Sequence, residues 1–142
     1  MNELKPQPFV WQVRVYFEDT DAGGVVYHSR YLNFFERART EMLRAMGVSQ
    51  SELREKHGLI WVVLEVNLKF RKAAQLDDEL LVSAELKWVK GVRQGFRQEI
   101  TRISDGVVVA TAELSAVMLH ADSLKPARMP AWIKAELLQD VE

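Results

Sequence analysis

Apolar and polar residues alternate along five stretches of the chain, and this period of two predicts strands. The first stretch covers residues 9–17, with Val13, Val15 and Phe17 on one face. The later stretches cover residues 59–74, 78–90, 95–104 and 107–120. Asp105-Gly106 between the last two is typical of a hairpin turn, so we expect these strands to pair as antiparallel neighbours.

One stretch follows the helical period instead. Over about residues 29–46 apolar side chains recur every three or four positions and form a broad stripe, which predicts a deeply buried helix. Gly47 is a suitable stop, because glycine accepts the left-handed backbone found after helices. Residues 49–52 have the spacing of a capping box and predict a short second helix that ends near Gly58. A terminal helix is predicted within residues 131–140.

The order of these elements is strand, long helix, short helix and then four strands. A single buried helix against one antiparallel sheet is a two-layer α+β arrangement, in which a five-stranded sheet wraps around one long central helix. The length fits a single domain over residues 1–142. One helix covers only part of so wide a sheet, so an edge strand or the outer face needs another cover, and we expect an oligomer.

Composition narrows the classes of function. Apolar residues make up 48% of the chain, enough for a packed core, and 19 basic residues nearly balance 20 acidic ones. That balance gives no electrostatic reason to expect nucleic acid or an anionic membrane as a partner. The sequence contains no cysteine, which excludes disulfides, thiolate metal sites and cysteine nucleophiles. The polar first residues and the lack of a long apolar run predict no signal peptide and no membrane insertion, so we expect a cytoplasmic protein.

The candidate chemistry lies in the stretch YFEDTDAGGVVYHSRY, residues 16–31, which joins the first strand to the long helix. A calcium loop opening at Asp19 would need a carboxylate at its twelfth position, where Arg30 stands. Gly23-Gly24 alone does not make a dinucleotide fingerprint, and the histidines of the chain are too scattered for a zinc site. We therefore expect no metal and no cofactor. A Ser-His-Asp set stays open, although no serine lies in a G-x-S-x-G elbow.

Two interpretations of this stretch remain. In the first, Asp19, Asp21 and the glycines are turn chemistry, with Asp21 binding free backbone amides before the helix. In the second, the Asp21 carboxylate lies in a glycine-loosened loop beside the N-terminus of the long helix. That terminus exposes backbone N–H groups and a partial positive charge, which can hold a negative oxygen that develops on an acyl carbonyl. A neighbouring carboxylate, ionised at neutral pH, can attack the carbonyl or draw a proton from water.

The longer string YFEDTDAGGVVYHSRYLNFFERARTEML closely resembles the signature of the YbgC-type acyl-CoA thioesterases, which belong to the 4-hydroxybenzoyl-CoA thioesterase family of hotdog-fold proteins. The resemblance runs along nearly the whole chain and includes LDDEL at residues 76–80 and LKPARMP at residues 124–130. It implies the hotdog fold and hydrolysis of acyl-coenzyme A to free acid and coenzyme A. It also implies active sites at the interface of a homodimer or homotetramer, with acyl-CoA, or an acyl group on acyl carrier protein, as substrate.

The resemblance assigns roles to residues as well. The family's catalytic carboxylate matches Asp21, as nucleophile or general base. The amide that holds the thioester oxygen matches the region of His28, whose side chain is a second catalytic candidate. Gly24 and Tyr27 are the expected substrate-binding residues. Two other functions stay open: a non-catalytic acyl-binding or adaptor protein of the same fold, and a dehydratase, whose motif has histidine where this chain has Asp21.

Two further sets of residues are candidates for binding the rest of the substrate. Basic residues suited to the phosphates of coenzyme A are Lys69, Arg71, Lys72, Lys87, Lys90 and Arg93, which are equally well explained as solvated charges near strand edges. Candidate walls of an acyl pocket are Phe34, Phe35, Met42 and Trp61, and the alternative for each is plain core.

Overall fold

Helix α1, His28–Ala45, runs along the inner face of one antiparallel sheet, and the computed structural model describes residues 8–137 of the chain. The long strands are β1 (Phe9–Arg14), β2 (Leu59–Phe70), β3 (Glu79–Lys90), β4 (Arg93–Arg102) and β5 (Val108–His120). The shorter elements are helices α2 (Gln50–His57) and α3 (Ala131–Leu137) and the strand β6 (Pro126–Ala127). The predicted order of elements is confirmed. Over residues 8–137, none of the helices has the length and hydropathy needed to cross a membrane.

The strands lie in the order β1-β3-β4-β5-β2, and each neighbouring pair is antiparallel. Strands β3, β4 and β5 follow one another through hairpins, and Gly106 has a φ of 72° in the second of them. The two residues of β6 pair with the end of β5, so the sheet has a very short sixth strand besides the expected five. Strands β1 and β2, separated in sequence by the helices, lie at opposite edges of the sheet.

The apolar stripe of α1 and the inner face of the sheet form the main core. Phe34, Phe35 and Ala38 of α1 are at most 1% exposed. Strand β3 alternates as predicted, and its buried residues are Leu80, Val82, Ala84 and Leu86. Burying one large apolar side chain contributes about 1.5–3 kcal/mol, so this layer is a main source of stability. The expected hotdog arrangement of one long helix wrapped by an antiparallel sheet is confirmed.

Helix α1 packs mainly against β1 and β3 and leaves the β2 edge less covered. Along β2 the side chains of Val63, Leu64 and Val66 are 40%, 52% and 38% exposed. An edge strand with unpaired backbone groups and exposed apolar side chains readily pairs with another chain. Strand β2 is therefore one edge that needs the further cover indicated by the sequence, and β1, which exposes Val10 and Trp11, is the other.

Helix α2 begins with the predicted capping box. Ser49 Oγ accepts the Glu52 amide at 3.1 Å, and the Glu52 carboxylate accepts the Ser49 amide at 3.1 Å. Gly58 ends the helix in the left-handed region with a φ of 64°. Leu53 then packs into a second apolar cluster, which joins the end of α1 to α2, β5 and α3.

The first strand is shorter than the alternation predicted. Strand β1 ends at Arg14, and Phe17, expected on the core face, is 81% exposed at the start of a 3₁₀ turn over Phe17–Asp19. The Asp19 carboxylate accepts the Tyr16 amide at 2.8 Å, so this side chain offers the backbone an alternative to the strand ladder. The prediction for Phe17 was wrong because such a local hydrogen bond leaves no mark on the apolar pattern.

Candidate functional site

The segment between β1 and α1 folds as a small hairpin that carries Asp21 next to the start of the helix. Thr20 and Val26 pair as an antiparallel bridge, and the Tyr27 amide donates to the Asp19 carbonyl at 2.9 Å. The Val26 amide donates to a carbonyl of the loop between β2 and β3 at 2.8 Å. The hairpin is thus tied to the fold on two sides, and its second arm ends at Tyr27, directly before the first turn of α1.

Asp21 is exposed at the tip of this hairpin. Its Oδ1 accepts the Gly23 amide at 2.8 Å, which makes an Asx turn, and its carbonyl oxygen accepts the Gly24 amide at 3.0 Å. Within residues 8–137 no donor is hydrogen-bonded to the other carboxylate oxygen, Oδ2. The turn chemistry that the sequence suggested is therefore present, and it orients the carboxylate while one oxygen stays unengaged.

Asp19, the first carboxylate of the DTD sequence, has a different environment. Its side chain is only 3% exposed, its Oδ2 accepts the Tyr16 amide, and its Oδ1 lies 3.7 Å from the Nε of Arg30. A buried carboxylate costs free energy unless donors or cations stand beside it, and here both do. Asp19 therefore stabilises the start of the hairpin, whereas Asp21 is the carboxylate that faces outward.

The N-terminus of α1 lies beside this hairpin with its backbone N–H groups uncapped. Tyr27 is the N-cap residue, no side chain accepts a hydrogen bond there, and the first turn contains no acidic residue. The first amides of a helix lack intrahelical partners, and the helix dipole adds roughly half a positive charge. The amides of His28 and Ser29 can therefore bind a carbonyl oxygen or an anion. The exposed His28 ring lies against the Tyr27 ring, with centroids 4.3 Å apart.

The two glycines of the hairpin give it its shape. Gly24 has a φ of 81°, a left-handed conformation that costs other residues roughly 1–2 kcal/mol. A Cβ on Gly23 would lie 3.3 Å from Asp21 Oδ1, so glycine leaves room for the carboxylate. The expected role of Gly24 in substrate binding stays a prediction, and its observed role is conformational.

A cavity of about 160 Å³ lies between α1 and β2. Trp61 and Met42, two of the suggested wall residues, line it together with Phe96, Val63 and the polar residues Glu36, Arg39 and Gln50. The other two suggested wall residues, Phe34 and Phe35, are fully buried in the core. The cavity is therefore a small, mainly apolar space with a few polar groups in its walls.

A buried polar network joins α1 to the sheet next to this cavity, and it was not predicted from the sequence. Arg39 Nη1 donates to Gln98 Oε1 at 2.8 Å. Gln98 Nε2 donates to the backbone carbonyls of Phe35 and Ser83, both at 3.0 Å, and its side chain is fully buried. The sequence did contain a sign of this network, because Gln98 lies on the same face of β4 as the apolar residues two positions before and after it. A polar residue on an apolar face indicates a buried partner.

The six basic residues suggested for the phosphates of coenzyme A are all exposed: Lys69, Arg71, Lys72, Lys87, Lys90 and Arg93. Lys87 lies 3.8 Å from the carboxylate of Glu85, and Lys90 lies over the Trp88 ring at 5.7 Å. These contacts are typical of solvated charges near strand edges, and phosphate binding stays a prediction for all six.

Known proteins similar to this chain are thioesterases. The model of the thioesterase-like superfamily matches residues 15–137. The acyl-CoA thioesterase YbgC of Haemophilus influenzae is 46% identical over 127 residues, 89% of this chain and 92% of that protein. The acyl-CoA thioester hydrolase YbgC of Escherichia coli O6:H1 is 40% identical over 131 residues, 92% of this chain and 96% of that protein. The crystal structure of a probable thioesterase from Bartonella henselae has a TM-score of 0.81 at 34% identity, covering 87% of this chain and 100% of that one.

Proposed function

The chain belongs to the thioesterase-like superfamily and, within it, to the YbgC-type acyl-CoA thioesterases, and from this premise we propose that it hydrolyses the thioester of acyl-coenzyme A. Asp21 is the catalytic carboxylate and the first turn of α1 is the oxyanion site. The observation that carries these roles is the exposed carboxylate of Asp21 on the hairpin that leads directly into a helix N-terminus that no side chain caps.

Asp21 acts through the oxygen that its own turn leaves unengaged. The Asx turn holds Oδ1 against the Gly23 amide, so the carboxylate needs little reorganisation before it reacts. Oδ2 either attacks the carbonyl carbon, giving a mixed anhydride that water then hydrolyses, or takes a proton from an attacking water. In both routes the C–S bond breaks with its electron pair on sulfur, and the thiolate of coenzyme A takes up a proton.

The amides of His28 and Ser29 stabilise the negative charge that develops on the carbonyl oxygen. One donor of this kind typically lowers the barrier by about 3 kcal/mol. The exposed His28 ring is the second catalytic group, because it stands at the same helix start and can donate to the developing oxyanion or the leaving thiolate. Tyr27 and Gly24 flank this opening and form the substrate-binding side of the hairpin.

The proposal includes an assembly and a location. Strand β2, with its exposed apolar side chains and free backbone edge, supports a homodimer or homotetramer in which a second copy covers this edge and completes the site. Light scattering of the purified protein tests this, and a monomer at assay concentration would contradict it.

Acyl carrier protein stays an alternative carrier of the acyl group. The cytoplasm is the proposed location, which cell fractionation tests.

The experiment that tests the function is a panel of acyl-CoA substrates, from acetyl to palmitoyl and including benzoyl analogues. Release of free thiol marks a thioesterase and is the expected result. Binding of acyl-CoA without thiol release would instead indicate an adaptor or acyl-binding protein. Loss of water from a hydroxyacyl substrate would indicate a dehydratase.

A further inference from the structure

One face of α1 leads from the proposed oxyanion site to the cavity between α1 and β2. His28, Leu32 and Glu36 follow at intervals of four residues, which places their side chains on one side of the helix. Arg39 continues this row three residues later. Leu32 is apolar and yet 44% exposed. With a rise of 1.5 Å per residue, Glu36 lies about 12 Å along the helix from its first residue.

Arg39 is the last residue of this row, and its guanidinium has few hydrogen-bond partners among the described residues. Burial lowers the pKa of Arg39, and the charge of the nearby Glu36 raises it. In the described part of the chain its hydrogen bond goes to the neutral Gln98, and no carboxylate oxygen lies within 4.0 Å of its nitrogens. The Glu36 carboxylate accepts a bond from Thr40 Oγ1 at 2.7 Å instead. A guanidinium has five N–H donors, and Arg39 is half-buried, so several of them are free to bind an acceptor oxygen in the cavity in place of water.

The Trp61 ring in the cavity wall and the neighbouring Gln98 have hydrogen-bond partners of their own. Trp61 Nε1 donates to Gln94 Oε1 at 2.8 Å, so Trp61 presents an apolar surface to the cavity. Gln98 Nε2 donates to carbonyls of α1 and β3, and its Oε1 accepts the bond from Arg39. Because Glu36 lines the same cavity, charge there is nearly balanced, and an acceptor bound by Arg39 can be a neutral or an anionic oxygen.

We propose that an acyl chain lies along this face of α1 and that Arg39 binds an oxygen at its far end. The inference rests on the proposed function and names its substrate class: acyl groups that carry a carboxylate or hydroxyl at the end remote from the thioester. The backbone amides at the start of α1 bind the thioester oxygen, and Leu32 contacts the methylene groups of the acyl chain. The guanidinium of Arg39 donates to the oxygen at the far end of the chain. Arg39 in this role is a specificity residue that touches the substrate.

The test compares matched acyl-CoA series of ten, twelve and fourteen carbons, long enough to reach from the start of α1 towards Arg39, that end in a methyl group, a hydroxyl group or a carboxylate. We expect the full-length enzyme to favour an oxygen-ended chain over the methyl-ended chain of equal length by about tenfold in kcat/KM, the size of one charged hydrogen bond. Arg39→Met should abolish this preference, so that oxygen-ended and methyl-ended chains of equal length have equal kcat/KM. Arg39→Lys should keep part of it. Arg37→Met, an exposed arginine two residues away, is the matched control and should change nothing.

Three results would overturn the inference. The first is an unmodified enzyme that prefers methyl-ended chains or shows no preference. The second is an Arg39→Met variant that loses activity equally on all chains, which would mean that Arg39 only joins α1 to Gln98. The third is an Arg39→Met variant that changes its oligomeric state, which would make a second copy the partner of the guanidinium. If no acyl-CoA is hydrolysed at all, the proposed function fails, and calorimetric Kd values for the same series still measure the selectivity.

Discussion

Replacing Asp21 with asparagine removes the carboxylate charge and keeps the hairpin. In the native hairpin Oδ1 accepts the Gly23 amide at 2.8 Å, and the side-chain oxygen of asparagine accepts the same bond. The Asx turn is therefore preserved. We expect the free energy of unfolding to change by less than about 0.5 kcal/mol, as for exposed substitutions that leave such features intact.

Catalysis should suffer far more than stability. A positioned general base contributes about a hundredfold or more to the rate, so kcat for Asp21→Asn should fall by at least that factor. A hundredfold loss corresponds to a barrier about 2.7 kcal/mol higher. Because the carboxylate acts in the chemical step, KM for acyl-CoA should change little.

The assay measures free thiol released from a good acyl-CoA substrate, with chemical denaturation of the same preparations. Asp19→Asn is the contrasting variant, because it neutralises the buried carboxylate beside Arg30 and should lower stability while folded molecules keep most of their activity. Hydrolysis by Asp21→Asn at the rate of the unmodified enzyme would refute the catalytic role. Loss of folding in that variant would contradict the expectation that asparagine preserves the Asx turn.

Three further predictions concern stability. Gly95→Ala should lower the free energy of unfolding by about 1–3 kcal/mol, because a Cβ there would collide with the indole ring of Trp88; an unchanged denaturation midpoint would contradict this. Ser49→Ala should cost about 1 kcal/mol in thermal melts, because α2 loses the oxygen that accepts one of its first amides. A hydrogen bond from the Arg102 side chain, and to a smaller extent one from a backbone amide, lowers the pKa of Asp105. The ionised Asp105 therefore stabilises the fold fully above the ordinary aspartate pKa, and this contribution is lost as pH falls through the lowered pKa. Asp105→Asn should therefore flatten the loss of stability that occurs as pH falls below the ordinary aspartate pKa of about 3.9, and an unaltered profile would rule this out.

The sequence by itself determined the elements and their order, because those depend on local interactions. Alternation in β3 and the helical period of α1 follow from which side chains must leave water, and both appear at the predicted positions. The capping box before α2 needs only residues three positions apart. The stretch with Asp21 and His28 was likewise recognisable from spacing and resemblance, and the hairpin places it at the start of the helix.

Only the tertiary structure distinguished the two aspartates of the DTD sequence and showed the contact of Arg39 with Gln98. Asp19 and Asp21 have the same chemistry two positions apart, and they differ because Arg30, from the helix, stands beside only one of them. Arg39 and Gln98 are separated by 59 residues, and their contact exists only once the helix lies on the sheet. Segments far apart in the chain decide which polar side chains are buried and which groups they bind. A local sequence pattern therefore cannot predict either.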